Sequence, residues 1–404
     1  MEFFTCPLCH RFLPSHKIER HVDDHFTDEE LSRDLLLAQE VDSRRGASSS
    51  SSTYGGGIDI DSKFASLISL QTKEILYQVK GENGLMTCLK DCLTFESEKD
   101  ATSILSGYID HFQCRESEDV GWGCGWRNIQ MLSSHLIKQR QEAREVLFGG
   151  AGFVPDIPSL QRWLEIAWEL GFDTQGSNDF NNKIYGKRNW IGTTECAALL
   201  RSFGLRAMVV DFCGEETNTG GSANKMLVNK NVSKRKLAQI HGPMDRFLFK
   251  EDQKESFKHL SSDAGKKVKG PEVIIEWVWN YFSNNNSTKL GSKRVILSEK
   301  APLYFQEDGH SRTIVGIQAV LKSNKMHQYN LLILDPGHQT EALEKSMKQN
   351  FGWQKLIKRG IHTLKKHQYQ LTRTVFQLCF IEPGIARGEE IERLKILRGI
   401  HHEI

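Results

Sequence analysis

The 404-residue sequence is poor in cysteine, with nine residues of this type, and the number is odd. Secreted domains that depend on disulfides carry many cysteines in even numbers, so this sequence does not predict a disulfide framework. We therefore expect a protein of the cytoplasm and nucleus, where thiols stay reduced. In those compartments a group of cysteines indicates metal binding or catalysis more often than a crosslink.

Long apolar runs and a dominant charge are also absent. No stretch of about 20 apolar residues predicts a membrane-spanning helix. The first residues have neither the basic start nor the apolar run of a signal peptide. The formal net charge is +2, so no overall field favours nucleic-acid or membrane partners, and we expect specific binding to neither.

Composition divides the chain into a short region rich in His and Cys, a linker and a large globular domain. Residues 46–57 read GASSSSSTYGGG, a Gly/Ser tract that cannot bury a core and is typical of a flexible linker. The globular domain is predicted over residues 58–404, where helical and strand patterns mix without regular alternation. Within it, residues 214–270 are rich in Lys, Asn, Ser and Gly, which predicts a partly disordered insertion.

Residues 1–27 contain a C2H2 zinc-finger motif. Its four ligands have the spacing C-x2-C-x11-H-x3-H and are Cys6, Cys9, His21 and His25. Two thiolates across a tight turn and two imidazoles one helical turn apart can converge on a tetrahedral zinc ion. Because so small a domain buries little apolar surface, zinc would supply much of its folding free energy. The sequence predicts this structural Zn²⁺ and no cofactor for catalysis.

The charges of the finger argue against a DNA reader. Acidic residues, including Glu19 and Asp23, lie on the helix that would face phosphate, beside Lys17 and Arg20. The Cys-Pro-x-Cys start and the His-Val-x-x-His end instead resemble the ubiquitin-binding class of zinc fingers.

Residues 28–45, directly after the finger, predict an amphipathic helix. Its apolar stripe is flanked by acidic residues and consists of Leu31, Leu35, Ala38 and Val41. The small alanine would let a partner approach closely, and the segment resembles ubiquitin-interacting helices. The alternative, a helix that packs on its own protein, fits the stripe equally well.

Cys124 lies in the segment DVGWGCGWRNIQML, between glycines and at the start of a predicted helix. The glycines allow a tight turn and the close approach of a substrate backbone. A helix N-terminus favours negative charge, which lowers the pKa of a thiol and increases its thiolate fraction. Taken alone, the segment fits a buried structural cysteine as well as it fits a nucleophile.

Two later segments supply partners for Cys124. His310 comes just before the predicted strand TIVGIQAV, and Asp335 comes just after the predicted strand LLIL. If these strands pair antiparallel, the start of one lies beside the end of the other. Asp335 can then orient the imidazole while the other ring nitrogen faces Cys124, as in a Cys-His-acid triad. His338 is the alternative base, but it follows Asp335 in a turn, and preorganisation favours the strand end.

The segments GWGCGWRNIQML, WIGTTECAALL, PLYFQEDGHSRTIVGI and LLILDPG together resemble a known peptidase family. That family contains the zinc-finger-containing ubiquitin peptidases and the ubiquitin-fold-modifier proteases. The resemblance covers roughly residues 60–385, apart from the insertion. It implies a papain-like α+β cysteine peptidase domain, with Cys124 as nucleophile, His310 as base and Asp335 as orienting acid.

One departure from the family pattern bears on the substrate. The ubiquitin-fold-modifier proteases carry Asp-Pro-His with that His as the base, whereas this sequence has Asp-Pro-Gly-His and a separate Gly-His-Ser. The departure favours the ubiquitin branch. The ubiquitin-binding features of residues 6–45 point the same way, because such modules raise the effective concentration of a chain. The resemblance further implies a preference for lysine-63-linked polyubiquitin.

Two details of the site stay open at the level of sequence. The backbone N–H of Cys124 is expected in the oxyanion hole. Gln113 is either a side-chain donor to the same oxyanion or an ordinary surface glutamine. Trp122 and Trp126 either wall a channel for a Gly-Gly tail or belong to the core.

The sequence therefore predicts a thiol-dependent deubiquitinase. The Cys124 thiolate would attack the carbonyl of a modifier's C-terminal glycine, His310 would protonate the leaving lysine amine, and water would release the acyl-enzyme. One alternative is a protease specific for the ubiquitin-fold modifier, with the same chemistry. The other is a catalytically inactive ubiquitin-binding protein, against which the presence of all three triad residue types argues.

Overall fold

In the computed structural model, the residues that are described are 3–5, 12–14, 60–79, 84–96, 101–213, 272–283, 294–307, 309–323, 326–360 and 375–403. They belong to two compact units, Met1–Thr72 and Lys73–Ile404. The predicted zinc ligands Cys6, Cys9, His21 and His25, the segment 28–45, the linker and the insertion lie outside the described residues. The finger, the helix and the insertion therefore stay predictions.

The first unit contains a short hairpin and one helix among its described residues. Strands β1 (Phe3–Thr5) and β2 (Phe12–Pro14) pair antiparallel, with Phe4 opposite Leu13. Helix α1 spans Ile60–Leu70. The sequence assigns this helix to the globular domain beginning at residue 58, whereas contacts group it with the first unit.

The second unit is built on a sheet of nine strands within the described residues. The strands are β3 (Ala101–Leu105), β4 (Leu205–Cys213), β5 (Val295–Leu297), β6 (Leu303–Glu307), β7 (His310–Leu321), β8 (His327–Leu334), β9 (Lys358–Gly360), β10 (Val375–Ile385) and β11 (Gly399–Glu403). Their order is β11-β4-β10-β6-β7-β3-β5, and β8 lies on the second edge of β7 with β9 beyond it. All neighbours are antiparallel except β11 with β4 and β3 with β5.

The helices of this unit surround the sheet. They are α2 (Gly84–Phe95), α3 (Cys124–Gln139), α4 (Gln141–Val146), α5 (Ile157–Glu169), α6 (Thr174–Asp179), α7 (Thr193–Ser202), α8 (Glu272–Ser283), α9 (Thr340–Lys348), α10 (Trp353–Ile357) and α11 (Glu389–Leu394). The predicted mixture of helices and strands is confirmed. Among the described residues, no helix has both the length and the apolar character needed to cross a bilayer.

Both faces of the central strands are buried. Along β8, Leu331 and Ile333 belong to one apolar core together with helix α8, while Leu332 and Leu334 belong to a second core with α2, α9 and α10. This division follows from the two-residue period of a strand. Burial on both faces explains why LLIL is a continuous apolar run rather than an alternating pattern.

The pairing of β7 with β8 brings the predicted triad partners together. The two strands run antiparallel, and Thr313 near the start of β7 lies opposite Leu334 at the end of β8. Strand β6 pairs with the first half of β7, so the start of β7 is held on both edges. The predicted antiparallel pairing is confirmed, and it places His310 beside the residue that follows β8.

Candidate active site

Helix α3 begins at Cys124, as its sequence predicts. Two glycines are required by the geometry around it. Gly121 has a φ of +92°, a conformation that favours glycine, and a Cβ on Gly125 would lie 2.7 Å from the Ile191 carbonyl oxygen. The turn therefore presents Cys124 at the first position of the helix, and the residue after it packs directly against a neighbouring backbone.

A buried ion pair holds the turn that enters α3. Arg127 Nε and Nη2 donate to the two carboxylate oxygens of Asp119, at 2.9 and 3.1 Å, and both side chains are almost fully buried. The Asp119 carbonyl accepts the N–H of Gly123 at 2.7 Å. This bidentate pair fixes the backbone immediately before Cys124, because a planar guanidinium and a carboxylate match in one orientation.

Cys124, His310 and Asp335 form a continuous hydrogen-bonded chain. His310 Nε2 lies 2.8 Å from Asp335 Oδ1. The His310 side chain also hydrogen-bonds the Cys124 sulfur. Since Nε2 is occupied by Asp335, Nδ1 is the ring nitrogen that faces the sulfur. The structure thus brings together all three residues that the sequence predicts for the triad.

Asp335 is held by three donors. Besides His310, its carboxylate accepts from Arg312 Nε at 2.8 Å and from the N–H of Gly337 at 2.9 Å. Burial raises the pKa of Asp335, but the hydrogen bond and charge of His310, with these two donors, hold that pKa well below its usual range. Asp335 is therefore a fixed carboxylate that orients the imidazole.

The pKa values of Cys124 and His310 move towards each other. Burial raises the pKa of the Cys124 thiol, but hydrogen bonds from His310 and Ser311 outweigh it and leave the pKa below its ordinary value. Burial lowers the pKa of His310, but the hydrogen bonds with Asp335 and Cys124 raise it to about 9. Both shifts favour a thiolate–imidazolium pair near neutral pH.

His338, the alternative base, has a different role in the fold. Its backbone N–H donates to the Asp335 carbonyl at 3.0 Å and closes the turn after β8. Burial lowers the pKa of its imidazole, and the Nδ1 atom is buried without a hydrogen-bond partner in the described part of the chain. The ring that contacts the Cys124 sulfur is that of His310.

Gln113 lies in the groove beside Cys124 with a defined orientation. Its carbonyl oxygen accepts the N–H of Thr340 at 2.7 Å. The next residue, Cys114, donates its N–H to the Pro336 carbonyl at 2.7 Å, which ties this segment to the turn after Asp335. Because the amide oxygen is occupied, the NH₂ group is the part of the side chain left to donate into the groove.

A groove of about 800 Å³ opens over the triad. Its lining comprises Gln113, Cys114, Arg115, Glu116, Val120, Gly121, Trp122, Cys124, Trp190, Gly309, His310, Gly337 and Gln339. Trp122 is part of this wall, whereas Trp126 is fully buried and belongs to the core. The two tryptophans that sequence leaves undecided therefore have different roles.

Several residues around the site are missed by sequence reasoning. Trp190 lies over the groove and donates Nε1–H to the Gly121 carbonyl at 2.5 Å. Asn128 Nδ2 donates to the Cys124 carbonyl at 2.6 Å, one helical turn along α3. Ser311 on β7 lowers the pKa of the Cys124 thiol, and Tyr304 on β6 lies 2.9 Å from the Ser311 hydroxyl. The four-residue spacing of Asn128 and the position of Ser311 after His310 were the available signals.

The part of the chain that contains these residues is similar in sequence to known proteins. The model of peptidase family C78 matches residues 98–372, a range that includes Cys124, His310 and Asp335. Zinc finger-containing ubiquitin peptidase 1 of Homo sapiens is 31% identical over 287 residues, which are 70% of this chain and 39% of that protein. The chain thus spans about two fifths of the length of that relative.

Of two further relatives, the first is a shorter protein and the second matches a smaller part of this chain. Ubiquitin carboxyl-terminal hydrolase mug105 of Schizosaccharomyces pombe is 25% identical over 272 residues, covering 67% of this chain and 82% of that protein. A probable Ufm1-specific protease 1 of Drosophila melanogaster is 33% identical over 105 residues, covering 26% of this chain and 37% of that protein.

Proposed function

Since the chain belongs to peptidase family C78, a family of cysteine peptidases, we propose that it hydrolyses peptide and isopeptide bonds after the C-terminal glycine of ubiquitin. The observation that carries the proposal is the chain of hydrogen bonds from Cys124 through His310 to Asp335, with 2.8 Å between the last two. The proposed domain is papain-like, with the nucleophile at a helix N-terminus and the base on the sheet.

The proposed reaction is acyl transfer through Cys124. The thiolate attacks the carbonyl carbon of the terminal glycine, and the electron pair of the C=O bond moves to oxygen. When the C–N bond breaks, the His310 imidazolium gives its proton to the leaving lysine amine. His310 then takes a proton from water, which attacks the thioester, and the thiolate leaves with the glycine carboxylate released.

The oxyanion is proposed to lie between the helix N-terminus and Gln113. The first N–H groups of a helix have no partner within the helix, and Cys124 is the first residue of α3. The Gln113 NH₂ group lies in the same groove and is oriented by the bond from Thr340 to its carbonyl oxygen. Two preorganised donors would stabilise the charge that develops on oxygen.

The preference for ubiquitin is supported by the site and by the relatives. His310, followed by Ser311, contacts Cys124, while the Asp-Pro-Gly-His segment contributes Asp335. Two relatives that match 70% and 67% of this chain are named a ubiquitin peptidase and a ubiquitin carboxyl-terminal hydrolase, and the Ufm1-specific relative matches 26% of it. We propose lysine-63-linked polyubiquitin as the preferred chain. Protease action on the ubiquitin-fold modifier is the alternative outcome of the test below.

The N-terminal residues are proposed to bind ubiquitin and zinc. Two thiolates and two imidazoles form a donor set that suits Zn²⁺, and the ligands would be Cys6, Cys9, His21 and His25. The zinc would be structural and would take no part in the reaction. The segment 28–45 would add a second ubiquitin contact and raise the local concentration of a chain.

We propose that the protein acts in the cytoplasm and nucleus. Six cysteines in the described part of the chain are free thiols, namely Cys88, Cys92, Cys114, Cys124, Cys196 and Cys379. Catalysis by Cys124 also needs a reduced sulfur, which these compartments maintain.

Activity-based probes test the proposal. The full chain is incubated with C-terminally reactive derivatives of ubiquitin and of the ubiquitin-fold modifier, with Cys124→Ala as control. We expect labelling of the wild type by the ubiquitin probe and none of the variant. Labelling by the ubiquitin-fold-modifier probe alone would make that modifier the substrate. Labelling by neither probe would favour an inactive binding protein.

A panel of di- and polyubiquitin chains tests the linkage. We expect cleavage of lysine-63-linked chains to be fastest and to depend on Cys124. Cys9→Ala should slow cleavage of long chains and leave turnover of a small fluorogenic ubiquitin substrate unchanged, because the proposed zinc takes no part in the reaction. Equal rates for every linkage would remove the proposed preference.

A further inference from the structure

The Cys124 sulfur has donors on more than one side. In β7, His310 and Arg312 both contact Asp335, whereas Thr313 donates to Asn128 on α3. This alternation follows from the two-residue period of a strand, so Ser311 faces α3 with Thr313. Hydrogen bonding by the backbone N–H and the hydroxyl of Ser311 lowers the pKa of the Cys124 thiol. Ser311 is therefore a second buried group, besides the imidazole, that favours the ionised sulfur.

Ser311 is oriented in turn by a buried tyrosine. Tyr304 Oη is 2.9 Å from Ser311 Oγ and 3.4 Å from the Ile191 carbonyl oxygen, and both side chains are almost fully buried. The hydroxyl reaches this position because Gly125 carries no Cβ, which would lie 2.9 Å from Oη. Tyr304, Ser311 and Cys124 thus form a second chain of hydrogen bonds that does not involve His310.

The donor and acceptor roles of the two hydroxyl groups, Tyr304 and Ser311, can be assigned in two ways. If Tyr304 donates to Ser311, the Ser311 proton is available to the sulfur. If Ser311 donates to Tyr304 instead, the tyrosine proton goes to the Ile191 carbonyl and the hydroxyl gives nothing to the sulfur. A negative sulfur favours the first direction, because a hydrogen bond to a charged acceptor is stronger than one between neutral groups.

We propose that Ser311 is a positioning residue that holds the Cys124 sulfur as a thiolate facing the groove, and that Tyr304 orients its hydroxyl for this task. The inference rests on the part of the proposed function that makes Cys124 the nucleophile. It concerns the ionisation of that sulfur and does not depend on which modifier is cleaved. Ser311 acts through Cys124.

The test is the pH dependence of Cys124 alkylation in the full chain. Iodoacetamide reacts with the thiolate, and mass spectrometry of the Cys124 peptide separates this reaction from that of other thiols. The variants are Ser311→Ala and Tyr304→Phe. The control is Ser106→Ala, because Ser106 is a buried serine whose hydroxyl donates to the Val315 carbonyl. Thermal unfolding shows whether each variant is folded.

We expect Ser311→Ala to lower the alkylation rate at about pH 6 roughly tenfold and to move the acid limb to higher pH. Tyr304→Phe should lower the alkylation rate at about pH 6 by about threefold and move the acid limb to higher pH as well. The reason is that the serine hydroxyl loses its fixed orientation. Ser106→Ala should match the wild type. If Ser311→Ala does not fold, Tyr304→Phe decides the question.

Profiles of Ser311→Ala and Tyr304→Phe that coincide with the wild type would overturn the inference. A lower plateau rate with an unmoved acid limb would overturn it as well, because that pattern indicates access or packing rather than ionisation. Alkylation needs no modifier substrate. Failure of the wild type to cleave ubiquitin would therefore contradict the proposed function and leave this measurement intact.

Discussion

His310 Nε2 lies 2.8 Å from Asp335 Oδ1, although 25 residues separate the two in sequence. The antiparallel register of β7 and β8 produces this contact, because it places the first residue of one strand beside the residue that follows the other. Arg312 and Gly337 hold the carboxylate from two further directions. The imidazole is therefore oriented before any substrate binds.

The base is the first assignment to test. We expect His310→Ala to lower kcat/KM for a fluorogenic ubiquitin substrate by about 10³-fold, because the proton-transfer group and the partner of the thiolate are both lost. His338→Ala should retain activity within about threefold. The two variants are assayed side by side with the wild type, and the reverse ranking would make His338 the base.

The pH profile of kcat/KM should be bell-shaped. Activity requires ionised Cys124, whose pKa lies below its ordinary value, so the rate rises as pH passes that pKa. It also requires protonated His310, whose pKa of about 9 means that the rate falls as pH passes that value. An alkaline limb near the ordinary imidazole value of about 6.5 would contradict the arrangement.

Asp335→Asn should move the alkaline limb of the profile to lower pH. The hydrogen bond to Asp335 is the largest of the effects that raise the pKa of His310. A neutral asparagine should therefore let this pKa fall. The expected loss in kcat is about 10²-fold or more, because the imidazolium is less stabilised. Measurement of kcat/KM from acid to alkaline pH beside the wild type separates this shift from a uniform loss of activity.

The same pair contributes to stability in a defined pH range. The folded-state pKa of His310 lies above its unfolded value of about 6.5, so its contribution is fully present below that value and is lost as pH rises through about 9. We expect the free energy of unfolding in urea to decrease between those limits. In Asp335→Asn the free energy of unfolding should fall less over this pH range. An unchanged pH dependence in the variant would contradict this account.

Asp119→Ala should destabilise the fold by about 3–5 kcal/mol, because it leaves Arg127 without its bidentate partner in the interior. Glu118→Ala is the matched control, since this neighbouring carboxylate is 54% exposed and 3.2 Å from Arg115. Its cost should be within about 1 kcal/mol. Urea unfolding at constant pH measures both values, and equal values would show that the buried pair does not hold the turn.

Gln113→Ala tests the second oxyanion donor. We expect kcat to fall by about 10²-fold with KM nearly unchanged, since the donor acts on the charge of the transition state. The rate of Cys124 alkylation should stay at the wild-type value, because alkylation develops no oxyanion. Binding of a peptide aldehyde, which forms a tetrahedral adduct, should weaken in parallel with kcat.

Gln141→Ala is the control for this experiment. Gln141 is an exposed glutamine on α4 that bonds Glu145, and its loss should leave all three measurements unchanged. If Gln113→Ala also leaves kcat unchanged, Gln113 is a structural residue that holds the Thr340 N–H, and another donor completes the oxyanion hole.

Much of the local structure is predictable because it depends on neighbouring residues. The start of helix α3 at Cys124 follows from the glycine turn, and the strand character of TIVGIQAV and LLIL follows from their apolar, β-branched composition. The side of the sheet on which each residue lies then follows from the strand period. These rules place His310 at the start of one strand and Asp335 after the end of another, and the antiparallel pairing of the two strands makes them neighbours.

The sequence by itself determined the mixed α+β class, the helix start at Cys124 and the two strand ends that carry its partners, because short-range geometry sets these features. Only the tertiary structure decided that His310 is the imidazole paired with the sulfur, that Trp126 is core while Trp122 lines the groove, and that Ser311, bonded to Tyr304, acts on Cys124. Those contacts join segments more than 100 residues apart. Their distances depend on how α3 packs against β6 and β7, and no local pattern encodes that packing.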